Sequence, residues 1–577
     1  MLFNLHKKNF VLIQFPMTRT EIATITENLN FNIEQVTPAH AKESFIILLN
    51  LVEGLAASVE ALTEENQKLK DEINRLKGEQ GLPEFKGKKH QKVDISSFDS
   101  RLHKEKRGKK GPRNRASKID RIKIDRIESC PVNKEVLPAD AIFKGYEEVI
   151  IQDLKIVTDN VKYLREVYYS PSEKKTYRGT LPESIEGEFG PGIKSLIFTM
   201  KYVCNMSEPN ILEFLQNLGI QISAAYISSL LTSKIEVFHA EKNELYIAGL
   251  ESMEYQQIDD TTARVNGENH YTQVVCNPLY TAYFTTEHKD RLTILDVLRN
   301  FAPRRFVFNN ETTELLEKFN LSKKVITRLS NYKQDQFLSE EDLNSILDEL
   351  KLGKNQRSRV QEASAIAAYH LETEIPVVKL GRSDDVPQFK LIADEMALCW
   401  IHDGRHYKKL NPVVQIHQDA LTEYRTTYWE YYQKLVEFKE DPRNDTAEQL
   451  EEEFARLFST TTGYDDLDDR IAKTKDKKEE LLAVLRHPIV PLHNNDAELG
   501  ARAQVRVRDV SLQTKTEAGT KAKDTFLSIV QTAKKLGVNI YDYIYDRVCG
   551  KFELPSLAQV IIDTSQEDNI THPTIPP

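Results

Sequence analysis

Leu48, Leu55, Leu62, Leu69 and Leu76 recur at every seventh position, and Val52, Val59, Asn66 and Ile73 follow the first four of them by four residues. A strict seven-residue apolar repeat keeps one helix seam facing a partner helix. Leucine at d with β-branched residues at a favours a parallel two-stranded coiled coil, and the single polar a residue, Asn66, specifies its register. Glu65 and Glu72 fall at g, and Lys70 and Lys77 fall at the following e positions, the opposite charges that a parallel pair can bridge. The spacing therefore predicts a leucine zipper over residues 46–80, ended by Gly78 and Gly81-Leu82-Pro83, and a homodimer or higher oligomer joined through it. An amphipathic helix packed on its own domain carries the same pattern and stays open at this point. Residues 1–45 are expected to hold a leader and a short polar helix, with Met17 as a candidate start.

After the heptads the charge changes sharply. Residues 85–126 hold 16 Lys and Arg against 5 Asp and Glu, a net of +11 on a chain whose total is −10, so the remainder carries −21. Lys86, Lys88, Lys89, Lys106, Arg107, Lys109, Lys110, Arg113 and Arg115 lie in runs broken by glycine and Pro112, the pattern of an extended linker. Each cation can neutralise a phosphate and release a counterion. Beside a dimerising helix, the segment 81–126 is expected to bind DNA. A solvated linker with no partner is the alternative.

At 577 residues the chain has room for about three or four domains. Hydrophobic content of 40% and charged content of 29% are ordinary for a globular protein. No uninterrupted apolar run approaches the roughly 18–20 residues that a membrane span needs, so no membrane partner is expected. Cys130, Cys204, Cys276, Cys399 and Cys549 form no C-x-x-C pair. That excludes a disulfide framework and a standard zinc site and suits the reducing cytoplasm.

The rest divides into segments of different pattern. Apolar and polar residues alternate around Ile119, Ile122, Ile124, Ile127 and Val149-Ile150-Ile151, which predicts a small β-rich accessory domain over 127–188. Cys130 has no partner there, so any ribbon-like fold would be metal-free. Residues 189–250 are expected to be helical, with helices over 209–218 and 223–231 around Gly219, a helix-turn-helix-like pattern that also fits any helical corner.

The chemistry begins at Asp259-Asp260-Thr261, where an apolar strand is expected to end. Two more strands (270–276 and 279–286) and a helix (291–301) follow, the opening of a ribonuclease H-like fold. A second apolar run leads to Ser383-Asp384-Asp385, and Cys399-Trp400-Ile401-His402 comes next. Cys399 and His402 lack a second pair, so packing is favoured there over metal ligation. The last station is Pro491-Leu492-His493-Asn494-Asn495-Asp496-Ala497-Glu498 with Arg502. Asn494, Asn495 and Asp496 are good helix N-caps, and Glu498 and Arg502 share a helix face. Alone, that pair reads as a surface salt bridge. With two strand-end aspartates upstream it completes a set of three carboxylates, the donor type that hard divalent cations take. Two such ions can activate an attacking hydroxyl and stabilise the leaving oxygen of an in-line phosphoryl transfer.

In this order, the motifs resemble the transposases of the insertion sequence 66 family, which are DDE enzymes. The resemblance implies Asp259, Asp384 and Glu498 as catalytic and metal-binding triad, with Asp260 and Asp385 as alternatives in register. It implies two Mg2+ ions, with Mn2+ as a substitute, and Cys399, His402, Asn494 and Asn495 as supporting motif residues. It also implies transposon terminal inverted repeats and target DNA as partners, with accessory element-encoded proteins beside them. Two departures stand out. The paired cysteines that many members carry before the catalytic domain are missing, and Gly381-Arg382 replaces apolar strand residues, which is expected to loosen the strand end.

The expected architecture is multidomain α+β: zipper, accessory and helix-turn-helix-like DNA-binding region, and a ribonuclease H-like α/β core with helical insertions. The core is expected at 251–310, 355–412 and 488–550, with insertions at 311–354 and 413–487. Tyr424, Tyr428, Tyr431 and Tyr432 in the second insertion are expected to form a core stripe. Arg502, Arg506 and Arg508 are candidate DNA-backbone contacts, and the tail, 551–577, is expected to be disordered from Asp563. The expected activity is cleavage of transposon ends and transfer of the 3′-hydroxyl strand to target DNA. A catalytically inactive, zipper-dimerised DNA-binding protein, or a ribonuclease H-like nuclease without strand transfer, are the alternatives.

Overall fold

In the computed structural model, which describes residues 39–76 and 122–569 apart from 134, 136, 139, 140, 183, 184, 186 and 333, the heptad segment is one helix, α1 (Ala39–Leu76). Its d leucines face outward: Leu48, Leu55, Leu62 and Leu69 are 55, 59, 58 and 56% exposed. Another face of the same helix is buried, with Glu53 and Ala56 inside. Part of α1, Phe45–Lys70, is long and apolar enough to cross a membrane by length and composition. This differs from the expectation because its mean hydropathy tolerates the scattered Asn50, Glu53 and Glu60. The leader, and the basic side chains between Lys86 and Arg115, lie outside the described residues.

Two compact units are present, one formed by Lys104–Leu181 with Leu212–Ile222 and the other by the rest of the chain. The first contains a single two-stranded antiparallel hairpin, β1 (Val167–Ser170) and β2 (Lys175–Arg178). The β-rich domain expected over 127–188 is thus reduced to this hairpin. The described residues between 122 and 166 form no strand, and Ile127, Val149, Ile151 and Leu154 are exposed. Alternation specifies a strand only where a second layer buries its apolar side, and a lone hairpin supplies none.

In the second unit the helices α2 (Pro191–Tyr202), α4 (Ala224–Thr232) and α5 (Glu236–Glu251) lead to the sheet; α3 (Glu208–Asn217), most of which falls in the first unit, precedes the left-handed Gly219. The helices expected at 209–218 and 223–231 are therefore present. The sheet opens with a meander, β3 (Tyr255–Val265), β4 (Glu268–Cys276) and β5 (Thr281–Thr286). Asn266 and Gly267 both have positive φ, so the β3–β4 link is the two-residue turn whose twist matches antiparallel strands.

Helix α6 (Arg291–Leu298) follows. The first insertion combines β6 (Phe306–Phe308), α7 (Asn310–Lys318), α8 (Lys323–Leu329), β7 (Gln334–Leu338) and α9 (Glu340–Glu349). It is not wholly helical, because β6 and β7 pair antiparallel. Helix α10 (Lys354–His370) returns to the sheet, and β8 (Leu380–Ser383) and β9 (Glu395–Leu398) complete it in the order β5-β4-β3-β8-β9. β8 runs parallel to both β3 and β9.

All four residues of β8 are buried. A Cβ on Gly381 would stand 2.5 Å from Met396 Sδ, so the Met396 side chain packs into the space the glycine leaves. Arg382 is 2% exposed. The expected loosening of this strand end is therefore absent.

Beyond the sheet lie α11 (Trp400–Lys409) and the helices of the second insertion, chiefly α12 (Gln415–Glu440), α13 (Asn444–Leu457) and α14 (Asp465–Lys475). Tyr424, Tyr428, Tyr431 and Tyr432 form with Leu435, Phe454 and Phe458 a buried aromatic core. Trp400 lies fully inside it, and its indole N–H donates to the Leu481 carbonyl at 2.8 Å. That bond satisfies the one polar atom of a residue otherwise suited to the interior.

Helices α15 (Lys478–Leu481) and α16 (Ala483–Arg486) lead back to α17 (Asn495–Ser511), which packs on β3 and β4. Next come α18 (Glu517–Leu536), α19 (Ile540–Val548) and α20 (Leu557–Asn569). The expected disordered tail is instead helix as far as Asn569, because Leu557 and Ile561 are fully buried and α20 packs along α5. Residues 570–577 lie outside the described residues.

Gly500 fixes how deeply α17 sits. A Cβ there would come 2.9 Å from Val274 Cγ1 and 3.3 Å from Thr281 Cγ2, both on buried strand residues. Gly500→Val is expected to lower stability by about 1–3 kcal/mol through overpacking, read as a lower urea midpoint with an unchanged slope.

Candidate active site

The parallel pairing of β3 with β8 ends at Gln257 opposite Arg382, and the candidate carboxylates begin just beyond that point. Asp384 directly follows β8, as expected for a strand end. Asp259 does not end its strand, since the Asn266-Gly267 hairpin carries β3 on to Val265. Glu498 lies in the first turn of α17.

Hydrogen bonds from the two residues just before Asp259 fasten the start of α17 to β3. Asn494, fully buried, donates its Nδ2–H to the Ile258 carbonyl at 3.2 Å. Gln257 donates its Nε2–H to Asp496 Oδ2 at 3.1 Å. Asn494 stands at the N-cap position but makes no side-chain cap, so the capping role expected of it is replaced by a strut to the neighbouring strand. Asn495 opens the helix, and its backbone N–H donates to His493 Nδ1 at 3.4 Å.

In each Asp-Asp pair the two members face different surroundings. Asp259 is driven by burial, and then by the nearby charges of Asp384, Asp260 and Glu498, up to about 7, although the Asp260 N–H donates to its Oδ1 at 2.8 Å. Asp260 is instead bound by Lys289 (3.1 Å) and by the amide of Gln388 (2.9 Å). Asp384 Oδ1 lies 2.8 Å from His402 Nδ1, off the line of a hydrogen bond, and is otherwise a buried oxygen with no donor. Asp385 pairs with Lys390 (2.7 Å) and Lys477 (2.5 Å). Against the upward push of burial, these two lysines hold it below the ordinary carboxylate range.

Glu498 is 16% exposed, and its carboxylate has His402 Nδ1 at 3.7 Å, Arg405 at 3.7 Å and Arg502 at 3.8 Å. Burial disfavours a charged His402 ring, but Asp384 and Cys399 outweigh it and push the ring up to about 10. The Arg405 guanidinium, 2.6 Å from Nε2, opposes a proton on that second nitrogen. Nδ1, which faces Asp384, carries a proton in either state. Burial raises the Cys399 thiol, yet His402 and Arg382 bring it below its usual value.

Cys399 Sγ, His402 Nδ1 and Asp384 Oδ1 lie within 4.8 Å of one another. Beside them is a cavity of about 110 Å³, lined also by Asp385, Asp403, His406 and Lys477. The charge pattern fits a divalent cation. Three carboxylates share the site, burial and then the neighbouring charges raise Asp259, and one buried oxygen lacks a hydrogen bond. Oxygen donors of this kind suit Mg2+ or Mn2+.

The predicted phosphate contacts separate. Arg502 and Arg506 are exposed. Arg508 is held by the Thr262 carbonyl at 2.7 Å and the Thr262 hydroxyl at 2.5 Å, so it braces α17 against β3. Three basic residues at the site were not singled out in the sequence: Lys289, Arg405 and Lys477. The signal for Arg405 is its spacing, three residues after His402 on one helix face.

The elevated Asp259 gives a signed prediction. A raised folded pKa favours folding while the group is protonated, and this contribution is lost as pH rises through about 7. At pH 8, in the absence of metal, Asp259→Asn is expected to melt higher than the parent, and at pH 4 the difference should vanish. Mn2+ should raise the parent's melting temperature at pH 8 and leave that of the variant nearly unchanged. Equal melting temperatures at pH 8 without metal would refute the carboxylate crowding.

Two comparisons with known proteins give matches. Residues 389–522, from the loop after Asp384 through Glu498 to α18, match the family model described as Transposase IS66 family. The "Uncharacterized protein y4jO" of Sinorhizobium fredii (strain NBRC 101917 / NGR234) is 31% identical over 307 residues, which cover 52% of this chain and 94% of that relative. No solved structure matches. With its motif order, its carboxylate-bearing elements and these matches, the chain belongs to the IS66 transposase family.

Proposed function

We propose that the chain is a DDE transposase that cleaves transposon ends and joins the resulting 3′ hydroxyls to target DNA at a site made by Asp259, Asp384 and Glu498. The observation that carries this reading is the electrostatic coupling of Asp259 to Asp384 and Glu498, each from a different element, while Asp260 and Asp385 are paired with lysines and Gln388. The sheet order β5-β4-β3-β8-β9, with a three-stranded meander followed by parallel strands, supports a ribonuclease H-like core.

Asp259, Asp384 and Glu498 would hold two divalent ions, Mg2+ or Mn2+, which supply an activated attacking oxygen and charge relief at the leaving oxygen. The chain's own residues prepare that site. Asn494 and Gln257 fix where α17 begins and so where Glu498 points. Lys390 and Lys477 neutralise Asp385 and leave Asp384 free to face the cluster. His402 holds a proton at Nδ1 between Asp384 and Glu498, which lowers their repulsion before substrate arrives. Arg405 and Arg502, both partly exposed beside Glu498, are placed to meet a DNA phosphate. The basic segment 81–126 would add sequence-independent, salt-dependent affinity. The exposed leucines of α1 would join two copies, and element-encoded accessory proteins would complete the assembly.

Strand transfer separates this reading from its neighbours. Glu498→Gln and Asp384→Asn are expected to bind transposon ends with parent-like affinity and to lose joining of a pre-cleaved end in Mg2+ by at least ~10³-fold. Parent-like joining by either variant would overturn the triad. Nicking without joining by the parent would identify a nuclease instead.

A further inference from the structure

Glu53 of α1 is a buried carboxylate whose partners lie about 360 residues away in sequence. Its oxygens accept the backbone N–H groups of Val413 (3.0 and 2.9 Å) and Val414 (2.9 Å), and Oε1 lies 3.2 Å from His417 Nδ1. These groups open the 26-residue helix α12, whose N-cap residue, Val414, has no side chain able to cap it. A helix start in the interior needs acceptors for its first N–H groups, and a carboxylate there also meets the positive end of the helix dipole. Burial alone would raise Glu53, but His417 and the two amides hold it below the ordinary carboxylate range.

The neighbours of Glu53 on the same face repeat the contact. Asn50 donates to the Gly463 carbonyl and accepts from the Asp465 N–H, both at 3.0 Å, and so reads the turn between them like a strand partner. Tyr464, inside that turn, stacks on His417 at 4.7 Å and 11°. Ala56, fully buried, packs with Leu49 and Val52 against Val413, Val414 and Ile416.

The heptad register sets this face apart from the d leucines, with the a residue Val52 at the border between the two. Leu49 and Ala56 fall at e, Asn50 at f and Glu53 at b, centred about 120° around the helix from the a/d seam. The d leucines stay 55–59% exposed. Their regular seven-residue spacing is self-complementary, and Glu65 and Lys70 lie at g and the following e, where opposite charges meet in a parallel pair of identical helices.

We infer that α1 is a two-sided arm: Leu49, Asn50, Val52, Glu53 and Ala56 latch it to the start of α12 and the 463–465 turn of its own chain, while Leu48, Leu55, Leu62 and Leu69 pair with a second copy of this chain. Dimerisation then sets the spacing of two catalytic bodies, because the helix that pairs is fixed to the helical insertion beside the active site. Only the second half of this inference rests on the dimer reading above.

The test uses the full chain in four forms: parent, Glu53→Ala, Glu53→Gln, and the double variant Leu62→Glu/Leu69→Glu. Backbone hydrogen exchange at residues 413–417 reads the latch, and sedimentation reads the oligomer. In Glu53→Ala the exchange should accelerate by at least about tenfold while the protein stays dimeric, since only a local opening is made easier. Glu53→Gln, which keeps one acceptor oxygen, should fall between parent and alanine. The leucine variant should be monomeric with parent-like protection at 413–417. Parent-like exchange in both Glu53 variants would overturn the latch. A monomeric Glu53→Ala would place Glu53 in the dimer seam and overturn the two-face assignment. A dimeric leucine variant would overturn the second copy as occupant, and the exchange result would still decide the latch.

Discussion

Three carboxylates drawn into one half-buried site repel each other, and much of the surrounding structure manages that repulsion. Burial and like charges at reduced dielectric both favour protonation of a carboxyl, and together, burial first, they raise Asp259 to about 7. The fold holds the group together from outside. Asn494 and Gln257 tie α17 to β3 at the two residues just before Asp259. Gly500 lets α17 lie against Val274 and Thr281, closer than any side chain at that position would permit. Arg508 braces the far end of the same helix on Thr262. His402, delivered by a helix whose first residue, Trp400, is anchored in the aromatic core, places an N–H between two of the carboxylates.

The same constraint explains why each aspartate is doubled without the two being equivalent. Successive residues on a strand point to opposite faces. Asp259 therefore faces the cluster while Asp260 turns to Lys289 and Gln388. Just beyond β8, Asp385 takes up Lys390 and Lys477, and Asp384 is left with an oxygen that no donor satisfies. The neighbouring lysines absorb charge that would otherwise add to the cluster. An unsatisfied buried oxygen is costly in isolation, and here it lies where a cation would relieve it.

Much of this was legible in the sequence because short motifs record local geometry. The run from Pro491 to Arg502 announced a helix carrying Glu498, and the order of the aspartates announced the elements that meet it. The part that was not legible depends on contacts between distant segments. Asn494 looks like a cap in sequence, but its side chain is used on Ile258, 236 residues away. Gly381 looks like a flaw in a strand until Met396 is seen against it. The alternation over 127–188 looked like a domain, but a pattern of apolar residues does not state whether a second layer exists to cover them. The Asn266-Gly267 turn was readable in principle. It explains why Asp259 sits within a long strand and not at its end.

Helix α1 shows how one periodic pattern can serve two purposes. Its seven-residue repeat signals pairing with another helix, while the residues about a third of a turn away carry Asn50, Glu53 and Ala56, which a free zipper has no reason to bury. A solvated zipper would leave Glu53 in water at no cost. In this chain the residue is buried against two backbone amides and an imidazole, an arrangement in which removing one partner would strand the others. Such a contact couples whatever α1 binds to the helical insertion, and through α12 and Trp400 to the helix that carries His402 to Asp384. On the proposed dimer, assembly and the geometry of the candidate site would share one continuous packed path, because α1 is packed into the unit that carries that site.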